Sequence, residues 1–118
     1  MNVQRGDVVM VRFPFADGVT AKRRPAVVIQ NDRNNQRLEN VILAQVTSRL
    51  GPPNEPTRFV VDPKAPEGAQ SGLTLQSAIA CENLSTIRKD QITEVVGHLC
   101  DAHLAQLDRC LKASLDLK

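Results

Sequence analysis

Short apolar segments alternate with polar, turn-rich stretches along most of the chain. The apolar segments are four to six residues long and rich in valine, isoleucine and alanine, which is typical of β-strands. The pattern predicts six strands, at residues 8–13, 26–30, 41–46, 58–61, 77–82 and 94–97. Such short strands, separated by turns, indicate a small, curved antiparallel sheet or barrel.

The segments between these strands carry turn and loop signals. Residues 14–24, with Gly18, read as a polar loop, and 51–56 and 63–72 read as loops rich in proline and glycine. Asn31-Asp32 is expected to end the second strand with a turn, and 89–93 to form a helical turn.

One long helix is predicted, at the C-terminal end of the chain. Asp101 is a plausible N-cap, and four leucines follow at helical spacing on one face: Leu104, Leu107, Leu111 and Leu115. The predicted fold is therefore mainly β with α, in a single domain over residues 1–118.

Composition narrows the function classes. At 118 residues, with 42% hydrophobic and 24% charged residues, the chain has the make-up of one globular domain. Its only aromatic residues besides histidine are Phe13, Phe15 and Phe59, which argues against a stacking platform for single strands. Residues 1–58 hold nine Lys/Arg against five Asp/Glu, so an anion-binding surface is expected to draw on the first half.

No cofactor or metal site is predicted. The three cysteines, at positions 81, 100 and 110, have no CxxC spacing, and the glycines form no nucleotide-binding motif. His98 and His103 lack the further ligands that zinc needs. No secretory signal and no apolar stretch long enough to span a membrane is found, which predicts a cytoplasmic location with no membrane partner.

Polar side chains collect at the predicted strand ends. Arg24 precedes Pro25, which restrains the backbone of Arg24, and a positioned guanidinium suits phosphate oxygens. Thr47 and Ser48 follow the third strand. If these ends converge, they form an anion site that could hold a phosphodiester while RNA supplies its own 2′-OH as nucleophile. The alternative is a solvated loop, with threonine present for its β-propensity.

Three segments make a resemblance specific. They are residues 6–11 (GDVVMV), 24–32 (RPAVVIQND) and 46–48 (VTS). In this order and spacing they resemble the MazF/PemK (Kid) toxin family of type II toxin–antitoxin systems, and the likeness runs nearly end to end. It implies an SH3-like barrel that forms a homodimer. It also implies a sequence-specific endoribonuclease toxin (an mRNA interferase) that cleaves single-stranded RNA without metal, leaving a 2′,3′-cyclic phosphate and a 5′-OH, and a cognate antitoxin with an acidic or hydrophobic tail.

The resemblance also assigns residues. Arg24 and Thr47 match the catalytic arginine and threonine of the family, with Ser48 beside them, and Glu82 matches a position where the PemK branch has a catalytic base. Many relatives carry glutamine where this chain has Asn83 and arginine where it has Ser85. Ser85 therefore removes one cation that faces the substrate, and Arg49 or Arg88 would replace it. The substrate-binding set predicted in this way is Lys22, Arg23, Asn31, Arg49, Asn83, Ser85, Thr86 and Arg88.

Two other functions stay open at this point. CcdB-like toxins resemble this family in fold and poison DNA gyrase through the C-terminal helix end, which here would involve Leu117 and Lys118. The other is a degenerate family member that binds RNA or antitoxin without cutting. Two departures from the family pattern suggest it: Ser85 stands where many relatives have an arginine, and Ala80 stands where the PemK branch has one. Val3, Val41 and the C-terminal helix are candidate contributors to a dimer interface.

Overall fold

The computed structural model describes residues 2–14 and 21–118. Six strands form one antiparallel, curled sheet in the order β4-β5-β3-β2-β1-β6. The elements in chain order are β1 (Asp7–Pro14), β2 (Ala21–Val28), α1 (Asp32–Arg37), β3 (Asn40–Thr47), β4 (Arg58–Val61), β5 (Ser77–Arg88), β6 (Ile92–His98) and α2 (Asp101–Leu115), with 3₁₀ turns at Pro66–Ser71 and Lys89–Gln91. The predicted fold class, mainly β with a C-terminal helix, is confirmed.

Alternation along the strands gives the sheet two buried faces. The helix face, which contacts α2, includes Val8, Val27 and Ala44 together with Leu107 of α2. The opposite face, called the cleft face below, buries eight residues: Val3, Val9, Val11, Ala26, Val28, Val41, Leu43 and Ile92. A residue's position along a strand therefore decides which of two separate environments its side chain enters.

The segment around the first 3₁₀ turn lies against both edge strands, β4 and β6. Close approach at this point requires glycine. A Cβ on Gly72, whose φ is +73°, would lie 2.1 Å from the carbonyl oxygen of Val96, and one on Gly97 would lie 2.3 Å from that of Ser71. The segment covers part of an edge that would otherwise be free to pair with another strand.

Three strands, β2, β5 and β6, extend well beyond their predicted limits. β2 begins at Ala21, so residues 21–24 are strand rather than loop, while the rest of that predicted loop, including Gly18, lies outside the described residues. β5 continues past Glu82 to Arg88. The sequence does not predict this second half, because it is polar and follows a bulge in the pairing with β3. β6 likewise starts at Ile92, and the predicted helical turn is a 3₁₀ turn of three residues.

The helices also differ in detail. α1 was not predicted: Asn31, expected to begin a turn, caps this helix, and its side chain accepts a hydrogen bond of 2.8 Å from the backbone N–H of Asn34. α2 begins at Asp101 with Cys100 as the N-cap, so the Asp101 carboxylate acts within the first turn. Leu115, expected on the buried face, is exposed.

His103 of α2 is buried beside Phe59, with the ring centroids 5.8 Å apart. Its Nδ1 atom has no hydrogen-bond partner among the described residues. Burial lowers the pKa of His103, so the ring is neutral at pH 7. Within residues 2–14 and 21–118, no group of three or more His, Cys, Asp or Glu side chains is arranged to hold a metal ion. Nor does any described helix have the length and apolar character needed to cross a membrane.

Candidate functional site

The β2–β3 register brings Arg24 towards Thr47. Ala26 pairs with Gln45 and Val28 with Leu43, so continuing this antiparallel register by two residues would set Arg24 opposite Thr47. The ladder instead stops at Ala26, directly after Pro25, which has no N–H to donate. β2 continues only as the partner of β1, where Arg24 pairs with Val11. A gap therefore opens between the two strands at this point.

This gap is a cleft of about 310 Å³, called the strand-end cleft. Its walls come from β2, from the end of β3 and from the segment before β5. The lining residues are Arg24, Pro25, Val46, Thr47, Ser48, Arg49, Leu73, Thr74, Leu75 and Ser77. The amino-acid sequence predicts the first two walls but carries no signal for the third, because residues 73–77 become neighbours of Arg24 only through the fold.

A second cleft, of about 230 Å³, lies on the cleft face and is called the amide cleft. Its lining residues are Phe13, Arg24, Pro25, Ala26, Gln45, Asn83 and Ser85. Arg24 and Pro25 belong to both clefts, so the two form one continuous surface with the Arg24 side chain at the junction.

The adjacent cations Arg23 and Arg24 have different surroundings because successive strand residues face opposite sides. Arg23 reaches β6, where it donates a hydrogen bond to the hydroxyl of Thr93 and pairs with Glu94 at 3.3 Å. Arg24 is exposed and makes no hydrogen bond or ion pair with any residue that the structure describes. Its donors are therefore available to an anion in the clefts.

The hydroxyl of Thr47 is held by the turn that follows β3. Its oxygen accepts a hydrogen bond of 3.1 Å from the backbone N–H of Arg49. This contact uses the hydroxyl oxygen as an acceptor and leaves its proton free to donate to a ligand. Ser48, between these two residues, is exposed on the wall of the strand-end cleft.

An ion pair between Arg58 and Glu82 is connected to this turn. Arg58 of β4 donates through Nη1 to the carbonyl oxygen of Arg49 at 3.0 Å, and through Nε to both carboxylate oxygens of Glu82 at 3.0 and 3.1 Å. Thr57 donates its hydroxyl to the same carboxylate. Glu82 is thus linked to the Thr47 turn through Arg58, and it lines neither cleft.

A bulge in β5 aims Asn83 into the amide cleft. Ala44 pairs with Leu84 but the next residue, Gln45, pairs with Ala80, so three residues of β5 have no partner on β3. Bulges of this kind redirect side chains and are common beside functional sites. Here the side-chain amide of Asn83 donates to the Oε1 atom of Gln45. Gln45 was not predicted as a site residue, because in the sequence it is one polar residue in an apolar strand.

The structure brings six of the predicted site residues to these clefts: Arg24, Thr47, Ser48, Arg49, Asn83 and Ser85. Lys22 is exposed on β2, two residues before Arg24 and on the same side of the strand.

The remaining predicted residues lie elsewhere. Asn31 caps α1. Thr86 pairs with Ile42 of β3, and as the residue after Ser85 it faces the opposite side of the sheet. Arg88 forms an ion pair of 3.1 Å with Asp90 at the far end of β5. Hydrogen bonding to Arg88 lowers the pKa of Asp90. The roles assigned to these residues, to Arg23 and to Glu82 stay predictions.

No thiol nucleophile is available among the buried cysteines. Burial raises the pKa of Cys81 to about 12 and also raises that of Cys110, so both are neutral thiols at pH 7.

Taken together, the two clefts offer hydrogen-bond donors, positive charge and neutral amides. Such a set can bind an anion and stabilise developing negative charge.

Comparison with known proteins gives the family. The profile of the PemK-like, MazF-like toxins of type II toxin–antitoxin systems matches residues 4–115. The chain is 32% identical over 118 residues to the endoribonuclease EndoA of Bacillus subtilis, covering 99% of this chain and 97% of that relative.

Solved structures agree on the fold. The MazE–MazF structure from Deinococcus radiodurans superposes with a TM-score of 0.77 at 16% identity, over all of both chains. A mycobacterial endoribonuclease in complex with its cognate antitoxin superposes with a TM-score of 0.73 at 21% identity, over 98% of this chain and 97% of that one.

Proposed function

The chain belongs to the PemK-like, MazF-like toxins of type II toxin–antitoxin systems, and on that premise we propose that it is an endoribonuclease that cleaves single-stranded mRNA in the cytoplasm at the junction of its two clefts. The observation that carries the proposal is one cleft that holds an oriented hydroxyl and a guanidinium with no partner among the described residues. Arg24 and Thr47 line the same cleft, and neither donates to a described protein group there.

The chemistry we propose uses the 2′-OH of the substrate as nucleophile. Its oxygen attacks the adjacent phosphorus as it loses its proton, and the bond to the 5′-oxygen breaks. The departing oxygen takes a proton from water, so the products are a 2′,3′-cyclic phosphate and a 5′-OH. Arg24 and the Thr47 proton donate hydrogen bonds to the phosphoryl oxygens, whose charge grows in the phosphorane-like transition state. Arg24 acts as a fixed charge rather than as an acid, because a guanidinium has a pKa above about 12.

The neighbouring residues place the RNA. Ser48 and Arg49 lie beside Thr47 on the cleft wall and would contact the phosphate backbone, and Lys22 adds a cation on the same side of β2. The family resemblance predicts that Glu82 accepts the 2′-OH proton. Because Arg58 and Thr57 bind its carboxylate outside both clefts, we propose instead that Glu82 positions the Thr47 turn and that water accepts the proton. No residue of this set needs a metal ion for the step that we propose.

We also propose that the chain forms a homodimer and is neutralised by a cognate antitoxin whose acidic or hydrophobic tail covers the clefts. Exposed cations at Arg24 and Arg49 suit an acidic tail, and Leu75, exposed at the cleft wall, suits an apolar one. Val3 and Val41 are buried inside the chain, so they are not on the surface available to a second copy.

The products of cleavage test this chemistry. The purified chain is expected to cut a mixed RNA in excess EDTA and to leave 2′,3′-cyclic phosphate and 5′-OH ends, because its own side chains supply the charge stabilisation. The measurement is sequencing of the cleavage ends with and without prior treatment by a phosphatase that opens cyclic phosphates. Cleavage only with added divalent metal would contradict the mechanism, and tight RNA binding without cleavage would identify a degenerate member.

A second prediction concerns Glu82, whose carboxylate is bound by Arg58. We expect Glu82→Gln to lower kcat about tenfold without moving the pH–rate profile, because the amide oxygen still accepts from Arg58 and the Thr47 turn is only loosened. Glu39→Gln, an exposed carboxylate on neither cleft, is the matched control. Loss of the acidic limb of the profile would instead establish Glu82 as the base.

A further inference from the structure

The amide cleft contains a polar contact that phosphate binding does not require. Gln45 and Asn83 lie on adjacent strands, β3 and β5, and are joined by a side-chain hydrogen bond next to Arg24. Neither side chain is charged, so the pair adds little to the attraction of a phosphate. Neutral amides placed beside a phosphate site are instead typical of groups that recognise base edges.

We infer that Gln45 and Asn83 act as one unit that recognises the base next to the cleaved phosphate. The inference rests on the proposed function, because Arg24 must hold that phosphate at the junction of the two clefts. A base attached to the same nucleotide would then enter the amide cleft, which begins at Arg24.

Hydrogen-bond accounting supports the pair as a reader of one base edge. When Asn83 donates to the oxygen of Gln45, the oxygen of Asn83 and the nitrogen of Gln45 stay free for a ligand. If both amides were turned over, the free groups would exchange but would still be one donor and one acceptor. Each base presents its donors and acceptors in its own order, so this edge distinguishes between them.

The other lining residues complete a base-sized site. At about 230 Å³ the amide cleft is smaller than the pockets of roughly 300–1,000 Å³ that enclose whole drug-sized ligands. Phe13 supplies an aromatic side chain for stacking, and Pro25 supplies a rigid apolar wall. Ser85 adds no charge at a position where a second cation would favour phosphate.

Rigidity gives the pair its specificity. Gln45 pairs with Ala26 on one side and Ala80 on the other, so its backbone is fixed by two neighbouring strands. The bulge at residues 81–83 presents Asn83 to it, and the hydrogen bond then orders both side chains before any ligand arrives.

Base discrimination is the measurement that tests the inference. Cleavage ends from a randomised RNA first locate the preferred base beside the cut, and kcat/KM is then measured on four oligonucleotides that differ only there. Gln45→Ala and Asn83→Ala are each expected to reduce the ratio of kcat/KM between best and worst base by about 10- to 100-fold. The double variant is expected to reduce it no further, because either change breaks the unit.

Controls separate this inference from the proposed function. Gln36→Ala removes an exposed amide on α1 and should leave the ratio unchanged, while Gln45→Met keeps the length of the side chain and covers the case in which the alanine variant is unstable. An unchanged ratio in folded variants of a chain that cuts RNA would overturn the inference alone. If the wild type does not cut RNA, the proposed function fails. Binding of labelled oligo(A), oligo(C), oligo(G) and oligo(U) to the wild type and to Gln45→Ala, measured by fluorescence anisotropy, then decides whether the pair selects a base.

Discussion

Replacing Arg24 with alanine is expected to lower kcat for RNA cleavage by about 100- to 1,000-fold, with little change in the free energy of unfolding. The loss is that of a positioned donor to the transition state. Stability should change by less than about 0.5 kcal/mol, because Arg24 is exposed and bonded to no described residue. Single-turnover cleavage of a labelled RNA, together with chemical denaturation, measures both quantities.

Two further variants define what Arg24 contributes. Arg24→Lys is expected to recover only part of the rate, since an ammonium keeps the charge but lacks the planar fork of donors. Arg109→Ala removes an exposed arginine from α2, away from both clefts, and is the matched control. If Arg24→Ala stayed toxic in cells while changes at Leu117 or Lys118 abolished toxicity, the gyrase-directed alternative would replace the nuclease.

Thr47→Val should reduce kcat by about 100-fold, the lower end of the effect of removing one donor to a developing charge. Valine keeps the β-branched shape that suits the end of β3 and removes only the hydroxyl. The backbone N–H of Arg49 then loses its acceptor, so we also expect the free energy of unfolding to fall by about 1 kcal/mol.

Thr47→Ser provides the matched comparison, because it retains the hydroxyl oxygen that accepts from the N–H of Arg49 and the proton proposed to reach the substrate. We expect it to cleave within about tenfold of the wild type, with the deficit arising from a less restrained rotamer. Equal rates for the valine and serine variants would show that the hydroxyl proton plays no part in catalysis. A large drop in both stability and rate for valine would assign Thr47 to the turn rather than to the reaction.

Much of the fold was available from local pattern. Val8, Val27 and Val41 lie in continuous apolar runs that indicate strands without tertiary information. The same pattern failed where strands carry functional polar residues. The second half of β5 contains Asn83 and Ser85, which face a cleft instead of a core, so its sequence does not look like a strand.

The candidate site was predicted unevenly for the same reason. Arg24 and Thr47 were identified from a resemblance carried by short motifs, and the β2–β3 register accounts for their shared cleft. Gln45 carries no such signal, because its importance depends on Asn83, which is 38 residues away. The separation of Arg23 from Arg24 also needed the structure, since only the position of β6 gives Arg23 an acidic partner.

The amino-acid sequence by itself determined the strand-rich architecture, the C-terminal helix and the family, because apolar periodicity and short motifs are local properties of a chain. Only the tertiary structure decided which polar side chains share a cleft. That outcome depends on strand register, on where the ladder stops beside Pro25 and on a bulge in β5, and each of these is set by pairing between distant segments.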